Sequence, residues 1–334
     1  MVDIIISEVI NWNAVEILKK EYDVYYDPKL YLNSGALADM LAHSVALIVR
    51  NQTKVDKELL CNAPKLKVIG RLGSGLDNID LFEAEKRGIQ VVYAPEGNSL
   101  ATAEHTIALI FALARNISNA SAAIRQGIWD RKAYTGVQIA GKTLGVIGYG
   151  RVGKLVAQKA ESLGMNILVH RRQSGGILPN SLASQVSLTT LLTNADFVSL
   201  HVPLTPLTNG LIGAPELALM KPSAYIINTS RGLVIREKDL YAALVAGKIA
   251  GAALDVREKE PPAVESELHN LPNVLLTPHI GGWTNEAQET VAYTVANDVL
   301  KVLSGKEPSY PYLFTHRKAA QDTNYPAPMQ VLTG

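Results

Sequence analysis

The sequence is poor in cysteine, in aromatic residues and in net charge. The single cysteine, Cys61, excludes an internal disulfide. With 32 basic and 31 acidic residues the formal net charge is +1, so no field from the whole chain favours nucleic acid or a membrane as a partner. Small neutral or anionic molecules are therefore the expected ligands.

Long apolar runs are also missing. The most apolar stretch, ATAEHTIALIFALAR, is interrupted by Glu104 and His105 and is shorter than the roughly 20 apolar residues of a bilayer span. It predicts a buried helix instead. The N-terminal MVDIIISEVI has no basic start followed by a cleavable apolar run. Together with the lone cysteine, this predicts a reduced, cytoplasmic setting.

Short β-rich runs alternate with helical patterns along the whole chain. One series runs through DIIIS, AVEILKK, VALIVR, KELLCNA, LKVIG and IQVVYA, and a second through KTLGVIGYG, MNILVH, DFVSLH, AYIINTS, AGAALDV and VLLTPH. This βαβ alternation is typical of parallel sheets. A length of 334 residues favours two domains. The sequence therefore predicts an α/β fold of two doubly wound parallel-sheet lobes.

Two helical stretches suggest how the lobes are connected. The stretch from about 99 to 126 is too densely apolar for one amphipathic face, so we expect it to pack against both lobes or a partner subunit. A second long helix, about 285 to 303, is expected to return to the first lobe. The predicted arrangement is a Rossmann dinucleotide-binding lobe (99–285) inserted into a discontinuous substrate-binding lobe (1–98 and 286–334).

A glycine motif marks the start of the second lobe. GYGRVG, at 148 to 153, follows a predicted buried strand and opens a helix that Gly164 can terminate. Gly148 suits the tight turn, Gly150 the close approach of a pyrophosphate, and Gly153 the contact between helix and strand. The helix N-terminus favours negative charge. The alternative is an ordinary glycine turn.

The residue expected to bind the cofactor ribose is unusual. In an NAD site an acidic residue about 20 positions after the motif binds the 2′-hydroxyl, but the chain has Arg171 there, followed by Arg172 and Ser174. A guanidinium binds a 2′-phosphate that a carboxylate would repel. NADP(H) is therefore the expected cofactor, with NAD(H) possible if both arginines are only solvated surface groups.

Three further polar stretches each end a predicted strand of the second lobe, where open α/β sheets place their active sites. They are NTSRG (228–232), ALDVREKEPP (253–262) and TPHIGG (277–282). Arg231 can hold an α-keto acid, His279 can exchange a proton with its carbonyl oxygen, and Glu260 can fix the imidazole tautomer and stabilise the imidazolium. We take these three as the candidate catalytic residues, with no metal ion. Taken singly, each has a structural alternative.

These motifs, in this order, resemble the D-isomer-specific 2-hydroxyacid dehydrogenases, a family that includes glyoxylate and hydroxypyruvate reductases. The resemblance runs from IVRNQTKVD and GRLGSGLDNID through AEHTIALIFALAR, GKTLGVIGYGRVG, HVPLT, NTSRGLV and AALDV to TPHIGG. It implies hydride transfer between a nicotinamide and a 2-keto or 2-hydroxy acid, and a homodimer through the cofactor lobe. It places Arg231 on the substrate carboxylate and carbonyl, Glu260 behind His279, and Asp255 on the nicotinamide amide.

The resemblance extends to further site residues. It implies substrate contacts from the backbone of Gly73, Ser74 and Gly75, as well as from Arg231 and His279. The cofactor-binding set is Gly148, Gly150, Arg151, Val152, Gly153, Arg171, Arg172, Ser174, Val202, Pro203, Thr208, Thr229, Ser230, Arg231, Asp255, His279 and Gly281.

Some positions are open to two interpretations. Arg50, at the end of VALIVR, suits either a substrate anion or an ion pair, and Trp283 suits either a wall of the substrate site or hinge packing. Arg236 replaces an aspartate common in the family and has no interpretation from the sequence. Without a segment that resembles an added regulatory domain, a small keto acid is expected in preference to phosphoglycerate.

The leading hypothesis is an NADP-preferring reductase of glyoxylate-like or hydroxypyruvate-like acids. One alternative is a protein of the same fold that senses NAD(P) and docks partners, as corepressor relatives do. Another is a dehydrogenase of formate or phosphite.

Overall fold

The computed structural model describes residues 2–171 and 183–314. It divides into two compact units: one contains the chain up to Ala94 and the segment that begins at Val291, and the other is Pro95–Thr290. The second unit is therefore inserted in sequence between two segments of the first.

The first unit contains, among its described residues, a five-stranded parallel sheet in the order β2-β1-β3-β4-β5. Its strands are β1 (Ile4–Ile6), β2 (Val24–Tyr26), β3 (Ala46–Val49), β4 (Val68–Arg71) and β5 (Gln90–Tyr93). The helices between them are α1 (Trp12–Leu18), α2 (Ser34–Leu41), α3 (Lys57–Cys61) and α4 (Leu81–Lys86), with a 3₁₀ turn at Leu30–Leu32.

The second unit contains, within the described part of the chain, a seven-stranded parallel sheet in the order β12-β11-β10-β9-β6-β7-β8. Its strands are β6 (Thr143–Ile147), β7 (Asn166–His170), β8 (Ser184–Gln185), β9 (Phe197–Leu200), β10 (Tyr225–Asn228), β11 (Gly251–Leu254) and β12 (Val274–Leu276). Its helices are α5 (Ser99–Ala114), α6 (Ile117–Arg125), α7 (Arg151–Ser162), α8 (Leu188–Asn194), α9 (Ala214–Leu219) and α10 (Glu237–Val245), with 3₁₀ turns at Gly232–Val234 and Glu267–Asn270.

The final helix, α11 (Asn285–Leu303), has the predicted bounds. Its buried side chains Val295 and Val299 join the core on one face of the first unit's sheet. A Cβ at Gly70 in β4 would come within 2.7 Å of Val295 Cγ1, so this glycine allows helix and strand to pack closely.

Both sheets are covered on both faces, which explains the uninterrupted apolar runs of their strands. The seven-stranded order contains the dinucleotide-binding arrangement and reverses between β6 and β9. Ligands of open α/β sheets bind outside the carboxyl ends of the strands at such a reversal. The predicted fold class, two parallel-sheet α/β lobes with one Rossmann unit, is confirmed.

The stretch expected to be helical from 99 to 126 is not one helix. It breaks after Ala114, Asn116 adopts left-handed φ = 53°, and α5 and α6 are bent by 64°. Asparagine tolerates this conformation better than most residues, and the apolar periodicity does not reveal the break. In the described ranges no single helix is long and apolar enough to cross a membrane. The bent pair α5 and α6 meets these criteria of length and composition only when the two helices are taken together.

The segment after α11, for which the sequence shows no period, completes the edge of the first sheet. Tyr93 N–H donates to Tyr310 O (3.3 Å) and Tyr312 N–H to Val91 O (2.7 Å), which gives an antiparallel pairing beside β5. The Asp298 carboxylate, 1% exposed, accepts the N–H groups of Ser309 and Tyr310 at 2.8 Å each. This carboxylate therefore anchors the segment to α11.

Asp298→Ala should lower the free energy of unfolding by at least about 1.5 kcal/mol. This is the lower end of the range for one hydrogen bond to a charged group, which extends to about 3 kcal/mol. Urea unfolding followed by circular dichroism measures the change. Glu16→Ala, which removes an exposed carboxylate 3.6 Å from Lys19, serves as the control and should change stability by less than about 0.5 kcal/mol. Equal stability of the two variants would contradict the anchoring role.

Candidate active site

Three loops meet at the carboxyl edge of the second unit's sheet. β10, β11 and β12 are neighbours. NTSRG begins at the last residue of β10, and DVREKE and TPHIGG directly follow β11 and β12. Because parallel strands end at the same edge, side chains far apart in sequence are brought together here.

His279 and Glu260 form a hydrogen-bonded pair at this edge. His279 Nδ1 lies 2.7 Å from Glu260 Oε2, and Glu260 Oε1 accepts the Arg257 N–H at 3.0 Å. With Nδ1–H donated to the carboxylate, Nε2 is the ring nitrogen left to exchange a proton with a ligand. The His279 side chain is 37% exposed, so it can reach one.

The surroundings keep Glu260 ionised. Burial alone would raise its pKa, but the hydrogen bond from His279, the charges of His279 and Arg231, and the Arg257 N–H together lower it below the usual value. A carboxylate that stays charged near neutral pH favours the imidazolium form of its partner. The charge of Arg231 therefore acts on the Glu260 carboxylate that faces His279.

Asn228 organises the loop that carries Arg231. Its buried side chain accepts the Ser230 N–H (3.0 Å) and hydroxyl (2.8 Å) at Oδ1, and its Nδ2 donates to Arg231 O (2.9 Å). Arg231 Nη1 donates to Ser230 O at 2.7 Å. Sequence reasoning assigned no role to Asn228, although an asparagine at the end of a strand and before a tight turn is a recognisable signal.

Asp255, expected to contact the nicotinamide amide, binds the TPHIGG loop. Oδ1 accepts the Thr277 hydroxyl (2.7 Å) and the Ile280 N–H (2.8 Å), and Oδ2 accepts the Gly281 N–H (2.8 Å). His105 Nε2 lies 3.4 Å from Oδ1. These contacts hold the two residues that follow His279. His279 itself has a left-handed φ of 57°, which is uncommon for a residue other than glycine.

This arrangement explains the glycine at 281 and the ionisation of Asp255. A Cβ at Gly281 would lie 2.9 Å from Asp255 Oδ2, too close for the observed hydrogen bond to persist unchanged. Burial raises the pKa of Asp255, but the hydrogen bonds from His105, Thr277, Ile280 and Gly281 outweigh burial and lower it. Asp255 is therefore a buried carboxylate stabilised as the anion.

The glycine motif has the expected geometry between β6 and α7. Gly148 (φ = 93°) lies against the His201 carbonyl, and a Cβ at Gly153 would collide with Gly148 O. Gly150 caps α7 at φ = −81°, and a Cβ there would meet no atom of the described chain within 4 Å. Protein packing and backbone conformation therefore require glycine at 148 and 153, but not at 150.

His201 lies where the strand order reverses. Its Nε2 is 2.7 Å from Ser199 Oγ, and burial lowers its pKa to about 3. The ring is therefore neutral near physiological pH and takes no part in acid chemistry there.

Several other predicted cofactor residues make contacts within the unit. Arg151 pairs with Glu96 at 3.1 Å, with both side chains more than half exposed. Thr229 Oγ1 lies 2.9 Å from Thr106 Oγ1 on α5, and Thr208 closes the HVPLT loop by donating to Pro203 O at 2.6 Å. Val202 Cγ1 lies 2.8 Å from where a Cβ at Gly148 would be, and Val152 packs at the edge of the adjacent core.

Arg171 directly follows β7, the strand beside β6, as the sequence predicts for the ribose-binding position. Its Nε donates to Gln185 Oε1 on β8 at 3.0 Å, and this contact with the neighbouring strand orients the guanidinium. Arg172 and Ser174, the other predicted donors, lie outside the described residues.

The first unit carries the remaining predicted substrate residues at the carboxyl ends of β3 and β4. Arg50 is buried, and burial lowers its pKa to about 10 despite the opposing effects of Glu8 and Tyr26, so it stays charged at neutral pH. The Glu8 carboxylate accepts four successive N–H groups, from Arg50 to Thr53 (2.8–3.2 Å), which fixes this loop.

The glycine turn of the first unit follows a second buried arginine. Gly73, before Ser74 and Gly75, has φ = 136°, and a Cβ there would collide with Arg71 Nη1. Arg71 Nη1 donates to Leu72 O at 2.9 Å. Sequence reasoning gave Arg71 no role, although a charged residue that ends an apolar strand was a usable signal.

Two residues that depart from the family pattern have defined surroundings. Trp283 is 49% exposed. Its backbone N–H donates to Ile280 O at 2.9 Å, which closes the turn after His279. Arg236 Nε lies 2.7 Å from where a Cβ at Gly210 (φ = 63°) would be. Within residues 2–171 and 183–314, no group of three potential metal ligands converges.

Comparison with known proteins gives the family. Residues 107–281 match the model for the D-isomer specific 2-hydroxyacid dehydrogenase, NAD binding domain. The glyoxylate reductase of Thermococcus litoralis is 42% identical over 315 residues, which cover 91% of this chain and 95% of the relative. The chain belongs to the D-isomer-specific 2-hydroxyacid dehydrogenase family.

The relatives differ in the substrates they are named for. D-3-phosphoglycerate dehydrogenase of Methanocaldococcus jannaschii is 43% identical over 308 residues, or 92% of this chain. This alignment spans 58% of that relative, so the chain covers little more than half its length. A solved glyoxylate reductase from Paecilomyes thermophila has a TM-score of 0.83 and 33% identity, over 92% of this chain and 97% of that one. The expected preference for a small acid over phosphoglycerate stays a prediction.

Asp255→Asn should destabilise the protein at neutral pH and progressively less in acid. A carboxyl whose folded pKa is lowered stabilises the fold above its unfolded value, about 3.9, and loses that contribution as pH falls through the folded value. Urea unfolding between pH 3 and 7 should therefore show the curves of wild type and variant converging towards acid. Asp130→Asn, on an exposed turn, should give a small difference at every pH. A constant gap for Asp255→Asn would contradict this account.

Proposed function

We propose that the protein is an NADP-preferring oxidoreductase that transfers a hydride between a nicotinamide and a small 2-keto or 2-hydroxy acid such as glyoxylate or hydroxypyruvate. The observation that carries the proposal is the 2.7 Å contact between His279 Nδ1 and Glu260 Oε2 at the carboxyl edge of a dinucleotide-binding sheet. This pair supplies proton transfer where such a sheet would hold a cofactor.

The residues at the glycine motif fit a dinucleotide. Gly150, which neither packing nor φ requires, leaves room for the close approach of a phosphate, and the N-terminus of α7 favours its charge. When bound, the nicotinamide supplies a hydride to the substrate carbon or accepts one in the reverse direction. Asp255 Oδ1 already accepts the Thr277 hydroxyl and the Ile280 N–H, and Oδ2, which accepts the Gly281 N–H, would also accept from the amide.

His279 would supply the proton. In the direction of reduction the imidazolium gives its Nε2 proton to the substrate carbonyl oxygen as the carbon is reduced, and in oxidation Nε2 takes the proton back. Glu260 holds the other nitrogen and compensates the positive charge. Arg231, whose charge acts on Glu260, would bind the substrate carboxylate and polarise its carbonyl.

We assign cofactor binding to the inserted unit, and we propose that residues of the first unit also bind substrate. There Gly73, Ser74 and Gly75 would offer N–H groups to a carboxylate. Arg50 would bind an anionic end of the substrate, since the Glu8 carboxylate holds its loop and its own guanidinium stays charged.

A phosphorylated 2-hydroxy acid is the second candidate substrate. Relatives named D-3-phosphoglycerate dehydrogenase are about as similar to the chain as the glyoxylate reductase is. A buried arginine at the end of a strand suits a phosphate as well as a carboxylate.

A homodimer through the cofactor unit is part of the proposal. Apolar side chains on and after α6 are about half exposed or more: Ile117, Ile124, Ile128 and Trp129. A cluster of exposed apolar side chains on one segment is typical of a protein interface, and a second copy of the chain would cover it.

The test is initial rates of loss of absorbance at 340 nm with glyoxylate, hydroxypyruvate and 3-phosphohydroxypyruvate, each with NADPH and with NADH. Turnover should be fastest with NADPH. His279→Ala should lower kcat by about 10²- to 10⁴-fold, the usual contribution of a general acid, with little change in cofactor affinity. His43→Ala, in the first unit, is the matched control.

No turnover with any pair, despite NADPH binding, would reject the reductase and favour a cofactor-sensing protein or oxidation of formate or phosphite. A kcat near the wild-type value for His279→Ala would remove this residue from the mechanism. Fastest turnover with the phosphorylated acid would select the second candidate substrate.

Arg171→Asp should raise KM for NADPH by at least about 10-fold more than KM for NADH, because a carboxylate repels the 2′-phosphate and can accept from a free 2′-hydroxyl. Lys248→Asp makes the same charge change after α10 and should leave both constants unaltered. Steady-state kinetics with each cofactor gives the comparison, and equal effects on both would reject the 2′-phosphate role.

A further inference from the structure

Glu260 is itself held by a contact that the proposed chemistry does not use. Its Oε1 accepts the backbone N–H of Arg257 at 3.0 Å, and its Oε2 faces His279 Nδ1. The carboxylate closes a turn over residues 257 to 260, so the backbone at 257 sets the direction in which Glu260 presents its second oxygen.

The side chain of Arg257 fixes that backbone. It is buried, and its Nε and Nη2 donate to Glu237 Oε1 and Oε2 at 2.9 and 2.8 Å, a two-point charge-assisted contact. On its other side Nη2 donates to Ser266 Oγ at 2.8 Å and Nη1 to His269 Nε2 at 3.2 Å. The guanidinium thus joins the first residue of α10 to the segment after the Glu260 turn.

Two more contacts lock the same turn to α10. Glu258 N–H donates to Glu237 Oε1, and Glu237 N–H donates to Glu258 Oε1, both at 2.7 Å. A Cβ at Gly232, in the loop of Arg231, would collide with the Arg257 carbonyl. The loops of Arg231 and Glu260 are therefore packed backbone to backbone at this arginine.

The geometry points to Arg257 and Glu237 as positioning residues that act on His279 through Glu260. The fork of Arg257 is required, not only its charge, because a lysine cannot occupy both oxygens of Glu237 and also reach Ser266 and His269. The kinetic test of this inference rests on the proposed function. The expected effect on the His279 ring rests on the structure alone.

Charged groups other than Arg257 also face the His279–Glu260 pair or hold its loops. Glu260 faces His279 and the charge of Arg231, and the loop of His279 is held by Asp255, which His105 contacts. None of these residues bonds to the Arg257 guanidinium in the contacts described above. A change at Arg257 therefore reaches His279 by way of the Glu260 turn.

The test compares Arg257→Lys, Glu260→Gln and the double variant. Arg257→Lys should lower kcat by between about 10- and 100-fold, the range for misplacing a group beside the chemistry by up to 1 Å, with cofactor KM changed less than twofold. The double variant should be no slower than Glu260→Gln, because residues that act through one another are not additive. Additive losses would overturn the inference.

A second readout does not need turnover. The pH midpoint of the His279 ring, followed by NMR in the ligand-free protein, should change in Arg257→Lys in the same direction as in Glu260→Gln, because the ring loses a well-placed anion. The matched control is Arg87→Lys, which alters an arginine 2.8 Å from Glu83 in the first unit and should move neither the midpoint nor kcat.

An unchanged midpoint in a folded Arg257→Lys variant would overturn the inference even if the enzyme is active. If this variant does not fold, Glu237→Gln, which keeps the shape of the acceptor and removes its charge, is measured in the same way and decides the matter. A wild-type protein without turnover would reject the proposed function, while the NMR midpoints would still decide the positioning role.

Discussion

In the proposed mechanism, the hydrogen bond from His279 Nδ1 to Glu260 is the interaction on which proton transfer at the carboxyl edge of the second sheet depends. It selects which ring nitrogen is available, it keeps a negative charge beside the ring, and it joins the loops that follow β11 and β12. Neither loop holds its functional residue unaided. Asp255 accepts N–H groups from the backbone after His279. Glu260 Oε1 accepts the backbone N–H of Arg257, whose buried guanidinium is held by Glu237, so two buried charged side chains support one short contact.

The same edge shows how a parallel sheet assembles a site from distant sequence. The three loops contribute their residues independently, and the order β12-β11-β10 places them side by side. The glycine motif follows β6, across the strand reversal, so the proposed cofactor site and the proposed acid lie at one edge of one sheet. Arginines follow strands in both units. Arg257, in the Glu260 loop, makes four side-chain hydrogen bonds to Glu237, Ser266 and His269, and Arg231 lies in a loop held by Asn228.

Most of the fold followed from the sequence, because strands covered on both faces must be apolar and the helices between them repeat regularly. The bounds of α11 and the pairing of His279 with Glu260 were both predicted. The strands β2 and β8 were missed because neither is a buried apolar run: β2 (VYY) has an exposed central residue, and β8 is the polar pair Ser184–Gln185. The break at Asn116 was missed because a single left-handed residue leaves the apolar pattern intact. Asn228, Arg71 and the Arg257 to Glu237 contact were missed because their roles come from hydrogen bonds between loops, which spacing along one chain does not reveal.

The left-handed backbone of His279 has a consequence for how this position can vary. A residue with a Cβ is strained there by roughly 1 to 2 kcal/mol relative to glycine. The fold would therefore accept glycine more readily than the imidazole that the proposed proton transfer requires. In the proposed mechanism, stability and chemistry select different amino acids at residue 279. A relative that no longer carried out the reaction could replace the histidine with glycine and gain stability.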